Sequence, residues 1–144
     1  MRSLAELTTL RVGGTPNSLV VATSESEIID AVSANPTALI LGGGSNIIVS
    51  DNFNSDVIKI ESQGLENDES ACAGAWVTVA AGHNWNDFVA TAVANGWTGI
   101  EGLAGIPGTV GATPIQNVGA YGQSVSDTIA QVHFVRPPFS ESSE

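Results

Sequence analysis

The chain has 144 residues, of which 42% are hydrophobic and 13% are charged, and its formal net charge is −11. This length and apolar content are enough for one domain with a buried core. Lys59 is the only lysine, and the three arginines are scattered, so no basic cluster could neutralise nucleic-acid phosphates or an anionic membrane surface. Cys72 is the only cysteine, which excludes a disulfide framework within the chain. We expect no nucleic-acid or membrane partner and a reducing, cytoplasmic setting.

The first half of the chain predicts a strand–helix–strand unit followed by a third strand. Apolar runs at 19–22 and 38–41 are typical of buried strands, and a capping box that begins at Ser24 starts a short helix between them. Strands joined in this way are expected to be parallel. Residues 57–60 predict the third strand.

The second half predicts further strands and one longer helix. The acidic residues 61–70 are interpreted as a hairpin tip or exposed connection, and a strand is predicted over 76–81. Asn84 is the expected cap of a helix that ends at Gly96. A last strand is predicted over 129–135. Apolar residues recur along the helix at a spacing that favours core packing: Trp85, Phe88, Val89, Ala92 and Val93.

Two glycine-rich segments, 42–46 and 105–122, are the candidate binding elements. Glycine allows a positive φ or a close approach of backbone to another surface, while Pro107 and Pro114 stiffen the longer segment. Either segment alone is equally compatible with an ordinary turn. Two of them in one small domain predict an extended ligand that is contacted at two places. Consecutive N–H donors at 42–46 suit a pyrophosphate, although the segment is neither a dinucleotide fingerprint nor a Walker loop.

Other candidates for chemistry are few. His83 and His133 have no obvious cysteine or serine partner, and structural roles are expected for both. Cys72 is expected to be a small buried hydrophobe. No cluster has metal-ligand spacing. Tyr121 lies inside the longer glycine segment and is a candidate ligand contact.

Three motifs in this order resemble the UDP-N-acetylenolpyruvoylglucosamine reductases, also called UDP-N-acetylmuramate dehydrogenases or MurB. They are LTTLRVGG at 7–14, LILGGGSN at 39–46 and GLAGIPGTVGATPIQNVGAYG at 102–122, of which the last is highly specific. The resemblance implies an α+β FAD-binding module of the p-cresol methylhydroxylase and vanillyl-alcohol oxidase type. Such a module joins a small parallel βαβ part to an antiparallel part.

The resemblance also implies the extent of the module. Residues 1–136 would form a truncated FAD-binding domain with subparts at about 1–60 and 61–136, followed by a polar tail at 137–144. The substrate-binding C-terminal domain of the family would be absent.

The resemblance further implies which residues bind. The FAD pyrophosphate would contact Gly42, Gly43, Gly44, Ser45, Asn46 and Ile47. The flavin would be lined by Ile106, Pro107, Gly108, Gly111, Ala112, Thr113, Asn117, Gly119 and Ala120. Tyr121 would face the substrate, and Arg11 matches a motif position without a firm role.

The family's reaction reduces UDP-N-acetylglucosamine enolpyruvate to UDP-N-acetylmuramate in peptidoglycan precursor synthesis, with NADPH as hydride donor and FAD as carrier. The catalytic arginine, serine and glutamate belong to family segments that have no counterpart in 1–144. The resemblance thus implies a monomeric fragment that is inactive as given. A stand-alone FAD-binding module, a non-functional remnant and a flavin-dependent oxidase of the same fold are the alternatives. The oxidase is disfavoured because Cys72 and His83, its candidate tethers, lie outside the glycine motifs.

Overall fold

The structure is a computed structural model that describes residues 2–70 and 74–136. The predictions for Cys72 and for the polar tail at 137–144 lie outside the described residues.

The first part of the chain forms a three-stranded parallel sheet. It consists of β1 (Leu19–Ala22), helix α1 (Glu25–Ala34), β2 (Leu39–Leu41) and β3 (Val57–Ile60). The strand order is β1-β3-β2, so the two strands of the predicted unit are parallel but both pair with β3 instead of with each other. The predicted cap of α1 is confirmed, since Ser24 Oγ accepts the N–H of Glu27 at 3.3 Å.

Strand β3 is buried along its whole length because both faces of the sheet are covered. Side chains alternate between the faces of a strand. Val57 packs on one face in a cluster with Leu4, Leu41 and Val49, and Ile58 and Ile60 pack on the other face with Ala22 and Val32. Lys59 therefore belongs to the same face as Val57.

The second part contains an antiparallel hairpin of β4 (Leu65–Ser70) and β5 (Gly74–Val79). The prediction of a hairpin tip or exposed connection over residues 61–70 is therefore wrong for Leu65–Ser70, which form a strand, although residues 66–69 are exposed as predicted. Residues 66–69 are exposed, so the strand lacks the apolar alternation by which buried strands are recognised. Its regularity comes from backbone pairing with β5, which needs no apolar side chains.

Helix α2 (Trp85–Ala94) follows the hairpin as predicted, and Asn84 caps it by accepting the N–H of Asp87 at 3.1 Å. Trp85, Val89 and Ala92 form a buried cluster with Ile100, Leu103 and Val125, against which Phe88 packs. Val93 is 56% exposed, so the predicted apolar stripe is narrower than expected. Nothing described covers that margin of the helix.

The remainder consists of short elements. These are α3 (Thr113–Gln116), the two-residue strands β6 (Gly119–Ala120) and β7 (Gln123–Ser124), and single 3-10 turns at Leu4–Glu6, Glu101–Leu103, Val110–Ala112 and Val125–Asp127. The predicted strand over 129–135 is wrong, because this segment pairs with no strand of the described residues. Val135 nevertheless packs against the α1 side of the parallel sheet.

Candidate functional site

The two glycine-rich segments touch each other backbone to backbone. A Cβ added to Gly43 would lie 3.0 Å from Gly108 Cα, and one added to Gly42 would lie 2.8 Å from Thr109 Oγ1. Ser45 Oγ donates to the Pro107 carbonyl at 3.3 Å. A side chain at Gly43 would therefore be in unusually tight contact with the Gly108 backbone and would push the two segments apart, so glycine favours their close approach.

The N-terminal motif supports the first glycine segment from the other side. Gly44 has φ +70°, and a Cβ there would lie 2.1 Å from the Leu7 carbonyl oxygen. The N–H of Thr9 donates to the Gly44 carbonyl at 2.9 Å. The N-terminal motif and the first glycine segment, which are distant in sequence, are thus joined by backbone contacts.

The connection between β5 and α2 supports the second glycine segment. The N–H of Gly111 donates to the Ala81 carbonyl at 2.8 Å, and the N–H of Val110 donates to the His83 backbone carbonyl at 2.9 Å. In return, the Gly108 carbonyl accepts the N–H of Trp85 at 3.1 Å. The start of α2 and the glycine segment are therefore one hydrogen-bonded unit.

The first glycine segment presents a row of backbone donors. None of the N–H groups of residues 43–47 donates to a backbone carbonyl within the described part of the chain. Successive backbone N–H groups in a turn form an anion-binding concavity. The segment is therefore suited to the oxygens of a phosphate or pyrophosphate.

An open cleft of about 850 Å³ lies where these segments meet the carboxyl end of the parallel sheet. Its lining combines the end of β3, both glycine segments and the start of α2. The lining residues are Thr9, Gly43, Ser45, Lys59, Ile60, Glu61, Gln63, Gly82, Asn84, Asn86, Asp87, Gly105, Ile106, Pro107, Gly108 and Thr109. The lining thus offers both apolar surface and polar groups that could fix the orientation of a small-molecule ligand.

Charge in the cleft is concentrated at the end of β3. Lys59 is 9% exposed, and its Nζ donates to the Gly42 carbonyl at 2.6 Å. Its charged neighbour is Glu61, with Oε1 3.8 Å from Nζ. Lys59 is the one positively charged side chain among the residues that line this cleft.

A family of known proteins matches this architecture. The sequence profile of the FAD binding domain family matches residues 16–138, which is most of the chain. This chain belongs to the FAD binding domain family. The match spans the parallel sheet, the hairpin, α2 and both glycine segments, so the α+β fold class predicted from the sequence is confirmed.

Curated relatives carry one name. The chain is 51% identical over 134 residues to the UDP-N-acetylenolpyruvoylglucosamine reductase of Cutibacterium acnes, covering 90% of this chain and 36% of that protein. It is 48% identical to the protein of that name from Streptomyces coelicolor, covering 90% of this chain and 34% of that one. The chain thus spans about a third of the length of the curated relatives that it matches. The resemblance seen in the three motifs is confirmed.

A solved structure agrees. The crystal structure of UDP-N-acetylenolpyruvylglucosamine reductase (MurB) from Thermus caldophilus superposes with a TM-score of 0.67 at 28% identity. The match covers 88% of this chain and 44% of that one. The FAD binding domain described above thus corresponds to less than half of that protein.

The structure brings together part of the predicted cofactor set. Gly43, Ser45, Ile106, Pro107 and Gly108 line the cleft. The other members of the first segment differ in placement. Gly42 and Gly44 lie behind the lining with their carbonyls bonded to Lys59 and Thr9, Asn46 is exposed, and Ile47 packs against the core beside the sheet.

The rest of the predicted set is not among the residues that line this cleft. Gly111 and Ala112 belong to a 3-10 turn, and the Thr113 hydroxyl is buried and donates to the Val110 carbonyl at 2.8 Å. Asn117 has φ +43° and accepts a hydrogen bond from Ser124 Oγ at 3.0 Å. Gly119 and Ala120 form β6, with Ala120 against the α2 cluster. Tyr121 follows at φ +52° and is 93% exposed.

Sequence reasoning missed several lining residues, including Thr9, Lys59, Gln63 and Asn86. Lys59 had a detectable signal, since a charged residue interrupts an otherwise apolar strand. The other three carried none, because only the folded chain places them beside the glycine segments.

None of the helices in the described ranges is long and apolar enough to cross a membrane. Within the same ranges, no three histidine, cysteine or acidic residues are grouped so that they could hold a metal ion.

Proposed function

We propose that this chain is the FAD-binding portion of a UDP-N-acetylenolpyruvoylglucosamine reductase, and that FAD lies in the cleft between the two glycine segments. The observation that carries the proposal is the backbone contact between Gly43 and Gly108, which joins a row of free N–H donors to an apolar wall. The family match and the names of the relatives support the same cofactor.

In this proposal the pyrophosphate lies on the first glycine segment. The N–H groups of residues 43–47 would donate to its oxygens, assisted by the Ser45 and Asn46 side chains. Backbone donors are preorganised, and hydrogen bonds to an ionised oxygen are about twice as strong as neutral ones. Such a site binds an anion in a protein of net charge −11 without a cluster of basic residues.

The flavin is proposed to lie along the second glycine segment. Ile106, Pro107 and Gly108 already form part of the cleft wall. The contacts proposed for residues 111–113 and 117–120, and the substrate contact of Tyr121, rest on the resemblance to the family. When bound, FAD supplies hydride transfer, with NADPH as the proposed donor. The chain's own share is to hold the ring, exclude water from one face and orient it.

The activity of the whole protein is proposed from the relatives' names. It would reduce UDP-N-acetylglucosamine enolpyruvate in the cytoplasm, as part of peptidoglycan precursor synthesis. Residues 1–136 would form the cofactor domain of a monomer, with 137–144 as a polar tail. We propose that the family's catalytic arginine, serine and glutamate have no counterpart in 1–144, and that the chain alone therefore does not turn over this substrate.

The test is a titration of the purified 144-residue chain with FAD, following flavin fluorescence and the melting temperature. We expect saturable binding and a melting temperature that rises with FAD concentration, since a ligand that binds only the folded state stabilises it. Gly43→Ala should weaken binding by about tenfold or more, because a Cβ separates the two segments. Gly96→Ala is the control for general destabilisation, since at φ +72° it strains the backbone while its Cβ would meet nothing within 4 Å.

Each other outcome counts against the proposal. A cooperatively folded chain that binds no FAD would refute the cofactor site, and a chain without cooperative unfolding would favour a non-functional remnant. Equal weakening by both glycine variants would mean that general destabilisation, and not the contact with Gly108, controls binding. Turnover of the enolpyruvate substrate by the chain alone would refute its proposed inactivity.

A further inference from the structure

Lys59 is a charged residue in a buried position. Its ammonium group is buried in the parallel sheet at the edge of the cleft, and burying a charge is unfavourable unless partners replace its water. The partner is a backbone carbonyl: Nζ donates to the Gly42 oxygen at 2.6 Å. The only lysine of the chain is thus hydrogen-bonded to the first residue of the glycine segment.

This hydrogen bond orients the peptide group that opens the segment. A peptide group is planar and trans, so its C=O and N–H point to opposite sides. Holding the Gly42 carbonyl against Lys59 therefore sets the direction of the Gly43 N–H, the first of the five free donors. The bond from Thr9 to the Gly44 carbonyl sets the Ser45 N–H in the same manner.

A carboxylate lies close to the charge of Lys59. Glu61 lies two residues further along the chain, its Oε1 is 3.8 Å from Nζ, and its side chain is 47% exposed. Both side chains line the cleft, together with the carboxylate of Asp87. An anion that enters the cleft meets the ammonium group already shared with Glu61, so the carboxylate lowers the attraction that the anion experiences.

We infer that Lys59 is a positioning residue of the anion site and that Glu61 tunes its charge. Lys59 orients the glycine segment through the Gly42 carbonyl and adds a positive charge at the pyrophosphate of a dinucleotide ligand. Glu61 reduces that charge. The inference rests on the proposed function for the identity of the ligand, but the orientation of the segment is a property of the chain without ligand.

The experiment compares two probes, FAD and riboflavin, on the 144-residue chain and four variants. Riboflavin carries the same ring system without phosphate. Lys59→Met should weaken FAD binding about tenfold or more, because the pyrophosphate loses a nearby positive charge and the Gly42 peptide group loses its fixed orientation, and should weaken riboflavin binding by less than about threefold. Glu61→Gln should strengthen FAD binding by a few-fold, and this gain should vanish in the double variant. Glu66→Gln, an equal charge change on the exposed strand β4, should leave FAD binding unchanged.

Each alternative outcome overturns a stated part. Equal losses of FAD and riboflavin binding in Lys59→Met would reduce Lys59 to a structural residue. A gain from Glu61→Gln that persists without Lys59, or that Glu66→Gln reproduces, would refute the tuning. If Lys59→Met does not unfold cooperatively, the comparison of Glu61→Gln with Glu66→Gln decides alone.

If the native chain binds neither probe, the proposed function fails, and backbone order parameters from NMR relaxation decide the positioning role. Lower order parameters at residues 43–47 in Lys59→Met, with β4 and β5 unchanged, support the orientation of the segment by Lys59. Unchanged order parameters at those residues overturn it.

Discussion

Replacing Gly44 by alanine tests whether the N-terminal motif supports the glycine segment. Two effects are expected to lower the free energy of unfolding. At φ +70° an alanine side chain crowds the following carbonyl, at about 1–2 kcal/mol. In addition, its Cβ would lie 2.1 Å from the Leu7 carbonyl oxygen and 3.0 Å from Thr8 Cα. These are backbone atoms, and since non-bonded heavy atoms prefer separations of about 3.5 Å, the two segments must part by more than about 1 Å.

Gly96→Ala isolates the first cost from the second. Gly96 has φ +72°, but a Cβ there meets nothing within 4 Å. The backbone strain is therefore common to both variants. Separation of the segments also endangers the bond from Thr9 to Gly44, which is worth about 1 kcal/mol net. Adding the lost packing, we expect Gly44→Ala to lower the free energy of unfolding by about 2 kcal/mol more than Gly96→Ala.

Urea unfolding of the native chain and both variants measures this difference, provided that the m-values agree. Equal losses of stability would refute the reasoning, because they would show that residues 7–8 do not press on Gly44 in solution. A selective loss at Gly44 would establish that the first and second sequence motifs are one structural unit.

Three further predictions concern single hydrogen bonds. Trp85→Phe should lower the free energy of unfolding by about 1–3 kcal/mol, because the buried Leu103 carbonyl loses the indole donor at 3.0 Å; a near-neutral urea midpoint would contradict this. Asn84→Ala should cost about 1 kcal/mol through loss of the α2 cap, and Asn84→Ser should restore most of it if capping is the cause. Hydrogen bonds, first from Ser18, hold the pKa of Asp56 below its usual range. Ionised Asp56 therefore stabilises the folded state above a pH of about 4, and this contribution is lost as the pH falls through the lowered pKa. Asp56→Asn should therefore flatten the decline of the urea midpoint between about pH 4 and pH 2, and an unchanged slope would contradict this.

Elements with local signals were predictable from the sequence. Both helix caps, at Ser24 and Asn84, are set by a side chain and an N–H three residues away, so a short stretch contains the whole interaction. Strands were predictable where apolar residues run together or alternate along the chain, as in β1, β3 and β5. Strand β4 was not predicted because the side chains of residues 66–69 face solvent. A strand was wrongly predicted at residues 129–135, because an alternating pattern forms a strand only where a partner strand pairs with it.

The sequence by itself determined the family, the capped helices and the two glycine segments, since close backbone approach requires glycine at particular positions. Only the tertiary structure decided what those segments surround. The crossover that inserts β3 between β1 and β2 brings Lys59 under the Gly42 carbonyl, and the packing of α2 brings Gly108 against Gly43. These contacts join residues 17 and 65 positions apart, and no local pattern encodes such distances because chain folding, not spacing, closes them.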